Sequence, residues 1–249
     1  MALNRKVIEI VHYSCGFAQS DQANPTYFFP LCCQENVSPK KQGFPFWIRI
    51  KNDPSRLLRY RDSIYASDLL VCAVACFDLG KKLSLLDVAG GSGVYACAIS
   101  RRYRHLNAAV LEIPSVDRAA QRSIASKGMS ARVNVVVGDM YKDIPKEYDG
   151  HIFSHVFHDR DIDSVRKLAE NTFSSLAPGG SIVVCDAHLN EDKSGPLAVA
   201  EYSCLLMYST EGRCYSTKEI DEILQEVGFI GIAVTEVAAE RTMIIGNKI

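Results

Sequence analysis

From residue 83 onward the chain alternates between two apolar rhythms. Short apolar runs, many of them β-branched, fall at 83–88, 107–111, 133–137, 149–156 and 181–186. Between them, at 92–103, 115–127 and 161–176, apolar positions recur at helical spacing. Repeated strand–helix alternation with near-continuous apolar strands predicts an α/β, doubly wound, mostly parallel sheet with helices on both faces. Two further helices are predicted near 196–208 and 216–227, the second stopped by Gly228. The tail reads as two strands, Ile230 to Val237 and Thr242 to Ile249, joined over Ala238-Ala239-Glu240-Arg241. That link is too short for a parallel crossover, so the last pair is antiparallel and brings the sheet to seven strands.

Ahead of residue 83 the rhythm is weaker. Prolines at 25, 30, 39 and 45 and aromatics at 27, 28, 29 and 44 mark irregular covering structure. Asp53-Pro54-Ser55 reads as a helix start, and apolar positions from Leu57 to Phe77 continue it to Gly80. Residues 1–52 are therefore expected to form a short N-terminal appendage, a lid or dimerisation element, and residues 53–249 the main domain. With 47% apolar residues, 23% charged residues and a formal net charge of −1, the chain has no electrostatic footprint for nucleic acid or an acidic membrane surface. No apolar run is long enough to span a bilayer, and the N-terminus lacks a signal-peptide pattern. Nine cysteines scattered through apolar stretches fit reduced thiols in a cytoplasmic protein. Cys72 and Cys76 have no second pair at zinc spacing, so no metal is expected.

The chemistry starts where the first predicted strand breaks: Leu85-Leu86-Asp87-Val88-Ala89-Gly90-Gly91-Ser92-Gly93. A strand that opens into a glycine loop at a helix N-terminus lets backbone approach a ligand closely and aims free N–H groups at it. Gly91-x-Gly93-x-x-Ala96 satisfies a dinucleotide fingerprint, and Glu112, at the end of the second strand, suits ribose hydroxyls. Asp87, placed before the glycines, argues against a pyrophosphate, which it would repel, and for a ligand carrying ammonium and sulfonium charge. Asp139 in Gly138-Asp139-Met140, just past the third strand, is placed to accept from an adenine amino group, with Met140 on the ring face. The chain has no Tyr-x-x-x-Lys pair of the kind a short-chain dehydrogenase uses.

With Leu111-Glu112-Ile113-Pro114, Val156-Phe157-His158-Asp159, Ala177-Pro178-Gly179-Gly180 and Glu211-Gly212-Arg213 ahead of Gly228-Phe229, these motifs resemble the class I S-adenosylmethionine-dependent methyltransferases, a Rossmann-like fold. The likeness is closest to the small-molecule O-methyltransferases related to plant caffeate and bacterial antibiotic or carotenoid enzymes. The resemblance implies S-adenosyl-L-methionine as cofactor, held by Asp87, Gly90, Gly91, Gly93, Glu112, Asp139, Met140 and Ser154. It implies a small aromatic or polyketide-like acceptor, His158 as general base, Asp186 holding the histidine ring, and a homodimer. His151 and His155 are expected to be surface or hydrogen-bonded structural residues. Four positions depart from the family. Ala89 replaces a glycine, which the backbone tolerates where φ is negative. Ser154 stands where a lysine is frequent, Arg160 where tryptophan follows the His-Asp pair, and Cys214 where a second acid flanks the base. The last two changes, with the short front end, motivate an alternative: a cofactor-binding homologue that does not methylate, regulatory, structural or guiding a pericyclic reaction. A nicotinamide oxidoreductase is the third reading.

Overall fold

The structure, a computed structural model, describes residues 82–249 apart from positions 143, 147, 238 and 239. The expectations for residues 1–81 lie outside the described residues.

Five parallel strands come first: β1 (Ser84–Val88), β2 (Asn107–Glu112), β3 (Val133–Val137), β4 (Gly150–Ser154) and β5 (Ser181–Asp186). Helices α1 (Val94–Arg102), α2 (Asp117–Ser126) and α3 (Ile162–Ser175) connect them. After α4 (Leu197–Ser209) and α5 (Thr217–Val227), strands β6 (Ile230–Glu236) and β7 (Thr242–Asn247) close the sheet as an antiparallel pair, with β7 antiparallel to β5. The order β3-β2-β1-β4-β5-β7-β6 is the doubly wound arrangement expected from the alternation. Its direction reverses between β1 and β4, where the carboxyl ends of the strands open a crevice suited to ligands.

The strands are apolar on both faces because both faces are covered. Leu86, Phe153, Val184 and Ile244 join one buried cluster with Val165 and Leu168 of α3 and Ile220 and Leu224 of α5. Their neighbours in the chain, Leu85, Ile152, Val183 and Met243, join the other with Ala96 and Ile99 of α1 and Ile124 of α2. This period of two, read on each side of one sheet, explains why the strands lack alternating polar positions. Local signals set the helix ends. Asp161 caps α3 by accepting from the Ser164 N–H at 2.8 Å. Ser216 and Glu219 form a capping box on α5, and Gly228 ends it at φ 115.

The run expected as one strand at 149–156 divides. β4 stops at Ser154, His155 turns to φ 56, and Phe157–Asp159 form a single 3₁₀ turn. His151, expected at the surface or hydrogen-bonded, is fully buried within β4, and neither ring nitrogen has a hydrogen-bond partner among the described residues. Burial, reinforced by the Lys248 charge, pushes its pKa down to about 3 from an ordinary 6.5. The folded pKa lies below the unfolded one, so the stability it protects is whole above pH 6.5 and lost as pH falls towards 3. We expect the unfolding free energy from urea titrations to decline by about 1.4 kcal/mol per pH unit over that window on this account. His151→Leu should flatten that decline and cost nothing at pH 7; an unchanged slope would refute the assignment.

Candidate active site

The glycine loop is built around Asp87. Its carboxylate is fully buried beneath the loop, with Oδ2 3.4 Å from the Ala96 N–H at the start of α1. A Cβ on Gly90 would stand 2.4 Å from the Asp87 Cγ, so only glycine fits over the carboxylate. Gly91 and Gly93 have φ of 59 and 68, and the Gly93 carbonyl accepts from the Cys97 N–H to start α1. Ala89 does not meet the condition under which its methyl is tolerated: it sits at φ 55, with its N–H donating to the Leu111 carbonyl at 2.9 Å. An alanine there costs about 1–2 kcal/mol that a glycine would not.

Glu112, last residue of β2, reaches across to the loop. Its Oε1 accepts from the Gly91 N–H at 2.7 Å and its Oε2 from the Ile113 N–H at 3.2 Å. Asp139 lies just past β3 and is partly exposed; its Oδ1 accepts from the Tyr141 N–H at 3.0 Å, and Lys142 stands 3.5 Å from Oδ2. Met140 belongs to the buried apolar cluster on the α3 side. Ser154 is fully buried at the end of β4, opposite Cys185.

The second group of residues surrounds Asp186, the last residue of β5. The His158 ring nitrogen Nδ1 is in direct contact with Asp186 Oδ1, and the His158 backbone N–H donates to Oδ2 at 3.2 Å. Asp159 places Oδ1 3.6 Å from His158 Nε2, and the Tyr202 ring meets the imidazole edge-on at 5.5 Å between centroids. His158 and Asp186 are both buried. Burial opposes charge on His158, but Asp186 and Asp159 outweigh it, and its pKa ends above 6.5. Burial likewise opposes charge on Asp186, yet His158, His155 and His188 hold its carboxyl well below the usual range. His188 was not anticipated from the sequence. It lies buried close to Asp186, and burial brings its own pKa down to about 4. His155, expected at the surface or hydrogen-bonded, is buried with Nε2 3.3 Å from the Tyr95 hydroxyl, and one nitrogen from it, one from His158 and an Asp186 oxygen all lie within 4.8 Å of one another.

The 3₁₀ turn is clamped from the α4–α5 loop. Tyr215 donates its hydroxyl to the Arg160 carbonyl at 2.6 Å, and Gly212 packs against the backbone of His158 and Arg160. Arg160 lies over the Tyr141 ring at 5.8 Å. Cys214 is fully buried; its N–H donates to Ser203 Oγ at 3.0 Å, and burial, with Asp186 nearby, pushes the thiol's pKa far up, so it stays neutral.

A doubly wound sheet whose carboxyl edge carries a glycine cradle, two strand-end acids and a buried histidine–carboxylate pair defines an α/β protein of the nucleotide-cofactor-binding class. Residues 33–230 match the O-methyltransferase domain family, and the chain belongs to it. It is 30% identical over 155 residues to 3-hydroxy-5-methyl-1-naphthoate 3-O-methyltransferase of Streptomyces sahachiroi, covering 62% of this chain and 45% of that protein. It is 26% identical over 175 residues to the S-adenosyl-L-methionine-dependent methyl transferase PigF of Serratia sp., covering 69% of this chain and 50% of that one. Among solved structures, an O-methyltransferase family 2 protein from Planctomyces limnophilus in complex with apigenin superposes with a TM-score of 0.74 at 28% identity, covering 82% of this chain and 64% of that one. The chain spans about half the length of the curated relatives it matches.

Proposed function

We propose that this chain transfers a methyl group from S-adenosyl-L-methionine to a hydroxyl of a small aromatic or polyketide-like secondary metabolite. The observation that carries the reading is the fixed pair His158–Asp186 at the same sheet edge as the glycine cradle. The residues present fit the cofactor. Gly90 leaves the Asp87 carboxylate covered by backbone alone, which allows close approach, and acidic ends on β1 and β2 suit a cationic ligand with a ribose. We assign Asp87, Gly90, Gly91, Gly93, Glu112, Asp139, Met140 and Ser154 to holding it.

When bound, the cofactor supplies a methyl already activated by the positive sulfur, so the reading calls for no metal. The protein's tasks are alignment and deprotonation. A phenol or alcohol attacks poorly while it keeps its proton. His158 removes it: Asp186 fixes the proton on Nδ1, which leaves the Nε2 lone pair to accept. As the ring becomes imidazolium, the buried Asp186 and Asp159 carboxylates stabilise the new charge. Tyr202, edge-on to the ring, limits its rotation. The neutral Cys214 adds no negative charge, so two acids rather than three act on the base.

Isothermal calorimetry with S-adenosylmethionine, followed by detection of S-adenosylhomocysteine over a panel of phenols, tests the reading. Binding with turnover supports it. Binding without turnover across the panel would favour the non-methylating alternative that Cys214 suggests, and tight binding of a dinucleotide instead would end both. Gly90→Ala forces the Asp87 carboxylate aside and is expected to weaken the cofactor about 10–100-fold, roughly 1.4–2.8 kcal/mol; calorimetry showing unchanged affinity would remove Asp87 from the site. We take the protein to be cytoplasmic, since the thiols of Cys97 and Cys214 are free and buried. Among the described residues no helix is long and apolar enough to cross a membrane. Exposed Leu197, Met207 and Tyr208 on α4 support a dimer, which sedimentation would measure.

A further inference from the structure

Asp186 faces a second imidazole. His155 places Nδ1 3.8 Å from the same Oδ1 that meets His158, and the two rings lie 5.6 Å apart. The other nitrogen of His155, Nε2, stands 3.3 Å from the Tyr95 hydroxyl. Tyr95 is in the first turn of α1, directly behind the glycine loop. Four buried side chains, Tyr95, His155, Asp186 and His158, thus run in series from the loop helix to the candidate base. The backbone says that the imidazole itself matters. His155 is at φ 56, where a side chain costs about 1–2 kcal/mol, while its N–H is tied to the Cys185 carbonyl at 3.0 Å. Glycine or asparagine would relieve that cost. One tautomer suits both neighbours: the proton on Nδ1 towards Asp186 and the lone pair on Nε2 towards the tyrosine O–H.

We propose that His155, anchored by Tyr95, is a positioning residue that faces the Asp186 carboxylate and tempers its pull on the His158 proton. The role rests on the methyl-transfer reading; the contact and its test do not. The groups acting on His158 are Asp186 at the end of β5, Asp159 on its own turn, Arg241 before β7, and His155 and His188 through Asp186. Two carboxylates beside one imidazole favour its charged form, and a base that is already protonated accepts nothing. A partial positive charge from the His155 N–H, set against Asp186, counters that tendency.

The test is an NMR titration of ¹³C-labelled histidine in the full-length protein without cofactor or acceptor, with the His158 signal assigned by its loss in His158→Gln. Asparagine at 155 tolerates the backbone and places an N–H where Nδ1 is now; leucine places a methyl there. His155→Leu should raise the His158 midpoint by about 0.5–1, while His155→Asn stays within about 0.2 of wild type. Tyr95→Phe should shift it in the same direction as leucine. In a transfer assay, the acidic limb of kcat should move with the midpoint, and KM for both substrates should hold within about twofold. No shift, or a downward shift, in the leucine variant overturns the proposal. If that variant does not fold, Tyr95→Phe decides on the same terms: a rise supports the proposal and an unchanged midpoint overturns it. A wild-type protein that methylates nothing would end the transfer reading and leave this titration intact.

Discussion

Replacing His158 by alanine is expected to lower methyl transfer about 10²–10⁴-fold, the range a positioned general base supplies, while S-adenosylmethionine affinity stays within about twofold. The split follows from geometry: His158 engages Asp186, Asp159, Tyr202 and the His155 ring, and none of these four contacts is to a residue of the glycine loop. The pH dependence has a definite sign. The base works only when neutral, and the two carboxylates overcome burial to lift its pKa above 6.5. Activity should therefore fall as pH drops through a value above 6.5, and that limb should vanish in whatever residual activity His158→Ala retains. Asp186→Asn should cost activity as well, because the ring loses both its tautomer preference and the counter-charge for imidazolium. Full activity in His158→Ala would remove the base assignment outright.

The fold was legible because both of its signals are local. A strand covered on two faces must be apolar throughout, and helices must repeat near 3.6, so the order of elements can be read off the chain. The strand read through 149–156 shows the limit. Val156 and Phe157 are as apolar as a strand, but they are buried from a 3₁₀ turn after the chain reverses at His155. Periodicity over so few residues does not separate those cases. The site was half legible. Asp87, Glu112 and Asp186 sit at strand ends, which the pattern locates, His158 lies on the turn beyond β4, and the resemblance assigned their chemistry. Tyr95, His188 and Tyr202 carried no such mark. Tyr95 and His155 are 60 residues apart, and Tyr202 reaches His158 from the face of a helix that is otherwise ordinary in composition. Their roles exist only once the sheet order is fixed. Ala89 is the opposite case: its identity was visible, but its positive φ depends on the Leu111 carbonyl that holds it.

Gly212→Ala is the substitution with the largest expected effect away from the reacting groups. A Cβ at this position would lie 2.3 Å from the His158 carbonyl oxygen, 2.5 Å from the Arg160 nitrogen and 2.6 Å from the Arg160 oxygen. All three are backbone atoms, so no side chain can swing away to make room. The 3₁₀ turn must retreat, and it is tied down by the His158 N–H on Asp186 and by the Tyr215 hydroxyl on the Arg160 carbonyl. We expect a stability loss of about 2–3 kcal/mol, at the upper end for an overpacked site, read as a lower urea midpoint. Activity should fall further than stability alone explains. Moving the imidazole by about 1 Å costs on the order of 10²-fold where the reaction depends on alignment. Tyr215→Phe provides the control: it removes one anchor of the same turn without adding volume, so the turn gains freedom instead of being driven out of place. It should cost about 1 kcal/mol of stability and less than tenfold in rate. If both variants lowered rate and stability in the same proportion, the clamp would be a folding feature only, and the position of His158 would be set by Asp186 alone.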